Sequence, residues 1–375
     1  MATSPLSAIS KHPDPRIAVQ EIARALAPAD PGLVIFFVSS KLDHEPVARL
    51  LQEATGAPCI GCTTAGEISS AGAGFTHGSL VALALPRAMI RRAAFALATE
   101  VSQSPEQVDA AVARLSQELG VDFQTADCSR YLGLVLIDGM SGSEETVMRH
   151  LGRSAFNQIF VGASAGDDLA FLRTTVSCGG VTASNAAALA VIELDRPFKI
   201  LKTQSFRDTG RRLVATRATE RERIIHEFDH LPAARAYAEA TGVPVDRLAE
   251  EAFLRHPVGL LVDGEPYVRS PQQVLPDGSI KFYCEIKAGG TMSVLEAGDI
   301  LADTHRAFEA ARAELGAPSC MLIFNCILRY LDIEARKLVA EVGRVYAAAP
   351  SVGFNTYGEE YLGHINQTCT AVLLG

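Results

Sequence analysis

The chain of 375 residues is long for a single core, and with 48% hydrophobic and 21% charged residues it has the composition of a packed protein, not a disordered one. Its formal net charge of -9, from 34 Lys and Arg against 43 Asp and Glu, leaves no clustered cationic face and argues against nucleic-acid binding. No apolar window is long enough to insert in a membrane, and Met1 to Pro15 lacks the apolar run of a signal peptide, so the expectation is a cytoplasmic protein whose eight cysteines are reduced.

Residues 1–15 read as a mobile tail. The run 33–40 (LVIFFVSS) is apolar, β-branched and aromatic, which predicts a strand. Val47, Leu50, Leu51 and Ala54 then recur at helical spacing, and Pro58 to Glu67 follows as a glycine-punctuated strand. The same order returns at 132–139 (LGLVLIDG), with a helix from Ser143 turning Val147, Met148, Leu151 and Ala155 inward, and closes with Phe160 to Asp167. A third copy starts at Leu322, continues through one helix bearing Leu331, Ala335, Leu338, Val342 and Val345, and ends with Val352 to Glu359. Val34 to Gly66 and Leu134 to Gly166 each span 32 positions, and Leu322 to Gly358 spans 36. A strand–helix–strand unit repeated three times is the strongest pattern in the chain.

Each copy closes on Gly-acid: Gly66-Glu67, Gly166-Asp167 and Gly358-Glu359. Glycine there permits positive φ or a close backbone approach, and the acid can accept backbone N–H bonds. Such turns either shape strand-to-loop corners or line a pocket. Returning strands are expected at 79–85, 186–194 and 368–374. Between the copies, Gln107 to Gly120 predicts an amphipathic helix, and the basic stretch Arg211 to Arg223 reads as a solvated helix face or polar connector. Arg235 to Gly242 begins an Ala-rich helix, and Asp263-Gly264 and Asp277-Gly278 mark hairpins. The expected fold class is α/β, with two domains of mixed β-sheets flanked by helices: an N-terminal domain over 16–222 and a C-terminal sensory domain over 223–375.

Several side chains carry chemistry. His226 and His230 match the HExxH zinc-protease string, but Pro232 would end the helix and no third ligand stands in register. Cys59-x-x-Cys62 lacks the two further donors of a zinc site and reads as packed thiols. Arg269 and Arg329 are charges in apolar contexts, suited to pair with Glu265, Glu285 or Glu359 or to hold a ligand carboxylate. His364, in the segment Gly363 to Thr368, is either a metal-ligating imidazole or a structural histidine bonded to a nearby carbonyl. No phosphate loop, dinucleotide fingerprint or Ser–His–Asp order is present, so the expectation is not an enzyme.

The segments IGCTTAGEI, IDGMSGSEE and VGASAGDDL in the first half, and PVGLLVDGEPYVRSP, FNCILRYL and VGFNTYGEEYLGHINQT in the second, resemble the FIST family (F-box and intracellular signal transduction). The resemblance implies paired FIST N-terminal and C-terminal domains acting as a small-ligand sensor in bacterial signalling. The second-half segments also resemble the family's nitric-oxide-sensing haemoprotein branch. That branch implies haem b and a separate partner, a histidine kinase or a cyclic-di-GMP enzyme, with a homodimer compatible. On this reading His364 is the axial iron ligand, and Tyr267, Arg269, Arg329, Tyr357 and Asn366 line the cofactor site. The alternative is a haem-free FIST sensor of a small metabolite such as an amino acid.

Overall fold

Each of the three apolar runs becomes a strand with the same set of neighbours. The computed structural model describes residues 4–375. The chain divides into a first unit, made of the residues up to Lys202 with His305–His364 and Cys369–Gly375, and a second of Thr203–Thr304 with Ile365–Thr368. Among the described residues no helix is long and apolar enough to cross a membrane.

In the first unit, the first copy consists of β1 (Pro31–Ser39), α1 (Val47–Thr55), β2 (Cys59–Thr64), the short strands β3 (Glu67–Ser69) and β4 (Gly74–Thr76), and β5 (Leu80–Pro86). The second is β6 (Tyr131–Ile137), α2 (Glu144–Ser154), β7 (Phe160–Ser164), β8 (Val176–Cys178), β9 (Val181–Ala183) and β10 (Ala186–Leu194). The third is β11 (Cys320–Cys326), α3 (Ile327–Ala335), α4 (Val339–Tyr346), β12 (Ser351–Thr356), β13 (Glu359–Tyr361) and β14 (Cys369–Leu374). Every copy pairs its first strand in parallel with its second, Val34 opposite Cys59, Leu134 opposite Val161 and Leu322 opposite Val352. The returning strand completes each sheet antiparallel to the first. The mixed α/β class is as expected, and Val34, Leu134 and Leu322 occupy like elements.

The short strands that follow each Gly-acid turn do not stay with their own copy. β3 pairs with β12 of the third copy, β13 with β7 of the second, and β8 with β2 of the first. Each copy thus completes another in a closed cycle. Side-chain alternation explains the uninterrupted apolar runs: Leu33, Ile35 and Phe37 join Leu132, Leu134, Leu322 and Phe324 in one inner core, while Val34, Phe36 and Val38 pack outward beneath helix residues such as Val47 and Leu51.

The three turns meet backbone to backbone. Ala65 N–H donates to the Asn355 carbonyl at 3.0 Å, and Asn355 N–H returns a bond to Gly66 at 2.8 Å. Ser164 N–H bonds Gly358 at 2.9 Å while Tyr357 N–H bonds Ser164 at 3.1 Å, and Gly166 and Asp168 donate to Thr63 and Thr64 at 3.1 and 3.2 Å. At this junction Glu67 is fully buried and accepts from the Thr64 hydroxyl at 2.5 Å and from the Ser79 N–H and hydroxyl at 3.0 and 2.6 Å. Burial outweighs those bonds and pushes its carboxyl up to about 7.

The second unit is a sheet ordered Glu265–Arg269, Val258–Val262, Thr291–Ala297, Phe206–Thr219, Ile224–Phe228, Ile280–Phe282 and Pro271–Val274. Helix Ala233–Thr241 packs Ala233, Ala234 and Tyr237 against Leu213, Ala215 and Phe228. Both hairpins expected at Asp263-Gly264 and Asp277-Gly278 are present.

Four local readings are corrected. Within the expected tail, Leu6–Ser10 forms a strand antiparallel to Leu80–Ala84, with Ala8 and Ser10 buried; residues 1–3 lie outside the described residues. The basic stretch lies mostly in strand Phe206–Thr219, where Arg211 and Arg212 are exposed to solvent, which suits their charges. His226 sits on strand Ile224–Phe228, its ring nitrogens bonded to Thr219 and Ser279 at 2.8 and 2.9 Å, so the His226–His230 pair is not on a helix. The third copy's helix is broken at Lys337, whose φ is 59°, into α3 and α4.

Two measurements test this frame. A Cβ at Gly162 would lie 1.7 Å from the Val135 carbonyl oxygen, and one at Gly353 would lie 2.0 Å from that of Ile323, while Gly152 in α2 has open space. Gly162→Ala and Gly353→Ala are expected to cost more than ~3 kcal/mol by overpacking, whereas Gly152→Ala gains up to about 1 kcal/mol, all read by urea denaturation. For Glu67, the folded state holds a proton that the unfolded chain releases above its ordinary carboxyl range, so stability falls as pH rises from about 4.5 to about 7. Glu67→Gln, which keeps the neutral form's bonds, is therefore expected to match wild type near pH 4 and exceed it by about 3 kcal/mol at pH 8; equal stabilities at both pH values would refute the buried charge.

Candidate functional site

Buried polar side chains gather at the C-terminal ends of the parallel strands, among them Ser39, Thr64, Asp138, Ser164, Asn325 and Thr356. Asp167, directly after β7, accepts backbone N–H bonds from Phe171, Leu172 and Arg173 at 2.9, 2.7 and 2.9 Å, and the hydroxyl of Tyr357. Burial works against its charge, but Tyr357 and the three amides outweigh it and hold the carboxyl below its ordinary range. Tyr357 is pushed up, by burial first and then by Asp167, and its hydroxyl also accepts from Leu169 N–H at 2.8 Å. Its ring stacks on Phe171 at 5.1 Å. Asp168, Leu169 and Phe171 all hold positive φ, of 56, 64 and 53°, so the acid's bonds fix a strained loop.

That loop forms one wall of a cleft of about 320 Å³, with Asp138, Met140, Leu172, Arg173, Gln103 and Asn185 among its lining. Asp138 organises the cleft floor: it accepts from Met140 N–H at 3.0 Å, from Asn185 N–H and from the Thr174 hydroxyl. The Arg173 guanidinium meets Glu45 at 2.5 Å in a pair whose side chains are 59% and 47% exposed. Met140 and Leu172 are exposed apolar groups on the same cleft. None of these residues stood out in the sequence by itself, although Asp138 and Met140 belong to the IDGMSG segment that follows a strand end.

His364 follows β13. Its Nδ1 lies 2.8 Å from Glu360 Oε1, and both side chains have no exposed surface. A Cβ built on Gly358 would fall 2.1 Å from His364 Cε1 and 2.8 Å from Nε2, so the imidazole itself fills the space that the glycine leaves. A carboxylate bonded to one ring nitrogen is the arrangement that orients a metal-bound histidine. The side of the ring on Gly358 has no room for a flat macrocycle, so the residues fit a haem at His364 only if the ring leaves this position.

Arg329 is buried on α3. Burial opposes its charge, but Tyr346, Cys369 and Glu359 together keep the guanidinium firmly protonated. It is a core cation with Glu359 as a partner, one of the acids the sequence offered it. Tyr267, Arg269 and Asn366 belong to the second unit, and His364, Arg329 and Tyr357 to the first. There Asn366 N–H bonds the Val268 carbonyl at 3.4 Å, beside Tyr267 and Arg269 on the same strand, and the Cys284 thiol donates to Asn366 Oδ1 at 2.8 Å. Cys59 and Cys62 are packed thiols, Cys59 pushed up to about 11 and Cys62 well above its ordinary value by burial.

Among solved structures, two cyanuric acid hydrolases are similar in outline. One, described as an evolutionary innovation by structural concatenation, has a TM-score of 0.35 at 9% identity and is covered in full by 99% of this chain. The other, from A. caulinodans, has a TM-score of 0.34 at 12% identity, with 99% of each chain covered. No curated protein matches the sequence. The FIST N domain family model matches residues 32–231 and the FIST C domain model residues 233–361. The chain belongs to the FIST family.

Proposed function

We propose that this protein is a haem-free sensor of a small carboxylate-bearing metabolite, such as an amino acid, received in the cleft beside Asp138. FIST domains are signal-transduction sensor domains that bind small ligands. The observation carrying the finer reading is Arg173 in the cleft lining. Its pair with Glu45 is largely exposed, and such pairs are worth about 1 kcal/mol or less, so a ligand carboxylate can take the acid's place. Bidentate geometry favours that replacement, and the apolar Met140 and Leu172 suit a ligand with a hydrocarbon part. Asp138 is saturated by its own bonds and shapes the floor without touching the ligand. The polar groups lining the cleft bond mainly to one another, which favours binding over catalysis, and output passes to a separate polypeptide.

The resemblance to the haemoprotein branch supports a second reading, with haem b, nitric oxide as the signal, and a histidine kinase or cyclic-di-GMP enzyme as partner. Its support is the Glu360-oriented His364, which would supply the imidazole; bound haem would provide the iron that takes up a diatomic gas.

Thermal-shift and calorimetric titration with amino acids and short organic acids separates the two. At least one ligand is expected to raise Tm, and Arg173→Ala to weaken its binding about tenfold or more while leaving the unliganded Tm within a degree or two. Ligand binding undiminished in Arg173→Ala would remove the cleft from consideration. Expression with added haem reads the alternative directly: a Soret band lost in His364→Ala would favour the haem sensor.

A further inference from the structure

We infer that the cleft beside Asp138 selects an acid that carries a second, uncharged carbonyl oxygen and no free amine, as oxo acids and N-acylated amino acids do. The inference rests on the reading that Arg173 receives a ligand carboxylate there, and it names the other half of the ligand.

One side of the cleft is organised by Asn185, which holds a φ of 47° and donates its N–H to Asp138. Its side chain is engaged at both ends: Oδ1 accepts from Ser102 N–H at 3.1 Å, and Nδ2 donates to Gln103 Oε1 at 2.6 Å. Its carbonyl accepts from Val101 N–H at 3.1 Å. A single residue thus holds the segment 101–103, and the Gln103 carboxamide is oriented because its oxygen is already bonded. What that amide has left is the Nε2 donor, which bonds none of the described residues; the Ser102 hydroxyl bonds none of them either. Both residues line the cleft, as Arg173 does.

The rest of the lining offers no free acid. Ser141 and Ser184 donate their hydroxyl protons to the Asp138 and Thr174 carbonyls at 2.6 and 2.9 Å. Asp138 is the single carboxylate among the lining residues, is 3% exposed, and takes donors from Met140, Thr174 and Asn185. A ligand ammonium would therefore lose water there without gaining a counter-charge. Arg173 is the single cation of the lining, so the cleft balances one negative charge. An amide N–H and a hydroxyl are uncharged donors, which match a carbonyl oxygen better than a second carboxylate. Met140 and Leu172 are left to cover the hydrocarbon of the ligand.

The test titrates the full chain, by calorimetry, with four acids built on one branched carbon skeleton: 4-methylpentanoate, L-leucine, 4-methyl-2-oxopentanoate and N-acetyl-L-leucine. At least one of the two acids with an added carbonyl is expected to bind about tenfold more tightly than 4-methylpentanoate, and L-leucine no more tightly. Whichever of the two binds better tells how far the carbonyl lies from the carboxylate. Gln103→Glu keeps the oxygen that Asn185 bonds and puts an acid in place of Nε2, on an exposed side chain whose replacement does not threaten the fold. It should weaken binding of the carbonyl-bearing acid about tenfold and strengthen that of L-leucine. Equal affinities across the four acids, tightest binding by L-leucine, or binding of the carbonyl-bearing acid undiminished in Gln103→Glu overturns the inference. Affinities that fall in Arg173→Ala but ignore the carbonyl would leave the carboxylate reading standing while this one fails. Absence of binding by all four acids overturns the inference as well, and the wider survey of acids with Arg173→Ala then decides the carboxylate reading separately.

Discussion

The ring of backbone hydrogen bonds between the three glycine turns is the constraint from which the first unit takes its form. Peptide groups at buried strand ends must find partners, and here each turn finds them in another turn: Ala65 with Asn355, Tyr357 with Ser164, Gly166 with Thr63. The short strands leaving the turns can then add to neighbouring sheets, so edges that would otherwise stand unpaired are covered. Because the bonds join main chain to main chain, side chains at the junction are released for other work. The copies use that freedom differently. Glu67 stays among hydroxyls, Asp167 ties down a strained loop, and Glu359 lies within the field of a buried arginine.

These differences separate scaffold from function. A carboxylate bonded by three amides stays charged and rigid, which is what a cleft wall needs; Glu67, more deeply buried and bonded by two hydroxyls and one amide, is driven toward its neutral form. The two histidines near comparable glycines diverge in the same way. His77 is exposed and bonds the Tyr330 hydroxyl at 3.0 Å, whereas His364 is sealed beneath Glu360. One architecture thus offers chemically distinct positions without changing its backbone plan.

The repeat was legible because a strand buried on both faces has to be continuously apolar, and because glycines at 61, 162 and 353 are forced by the closeness of the parallel neighbour, whose carbonyl oxygens lie 2.2, 1.7 and 2.0 Å from where a Cβ would be. The pairing of each short strand with a different copy was not legible, since three-residue strands such as Glu67–Ser69 carry too little pattern to name a partner. Leu6–Ser10 escaped notice for the same reason, being an edge strand with a mixed pattern of exposure. The strand carrying His226 was masked by a familiar string with helical spacing. Of the candidate site, His364 and Tyr357 were visible through their setting among glycines, but the cleft was not. Asp138, Arg173 and Asn185 come together only through the folded loop, and no spacing along the chain announces them.

The cyclic pairing has a consequence for synthesis. β2 and β7 obtain one of their neighbours from later in the chain, and the hairpin of β3 and β4 must wait for β12 at Ser351–Thr356, nearly the whole chain downstream. A growing polypeptide emerging from the ribosome therefore holds open strand edges from its first fifth until its last, and all of residues 203–304 must be made in between. Such long-range closure is slow, and the waiting edges are the kind that invite pairing with foreign strands. For this protein, premature termination or a pause after residue 304 would leave two apolar sheets without their closing partners, making the nascent chain a natural client for holding chaperones.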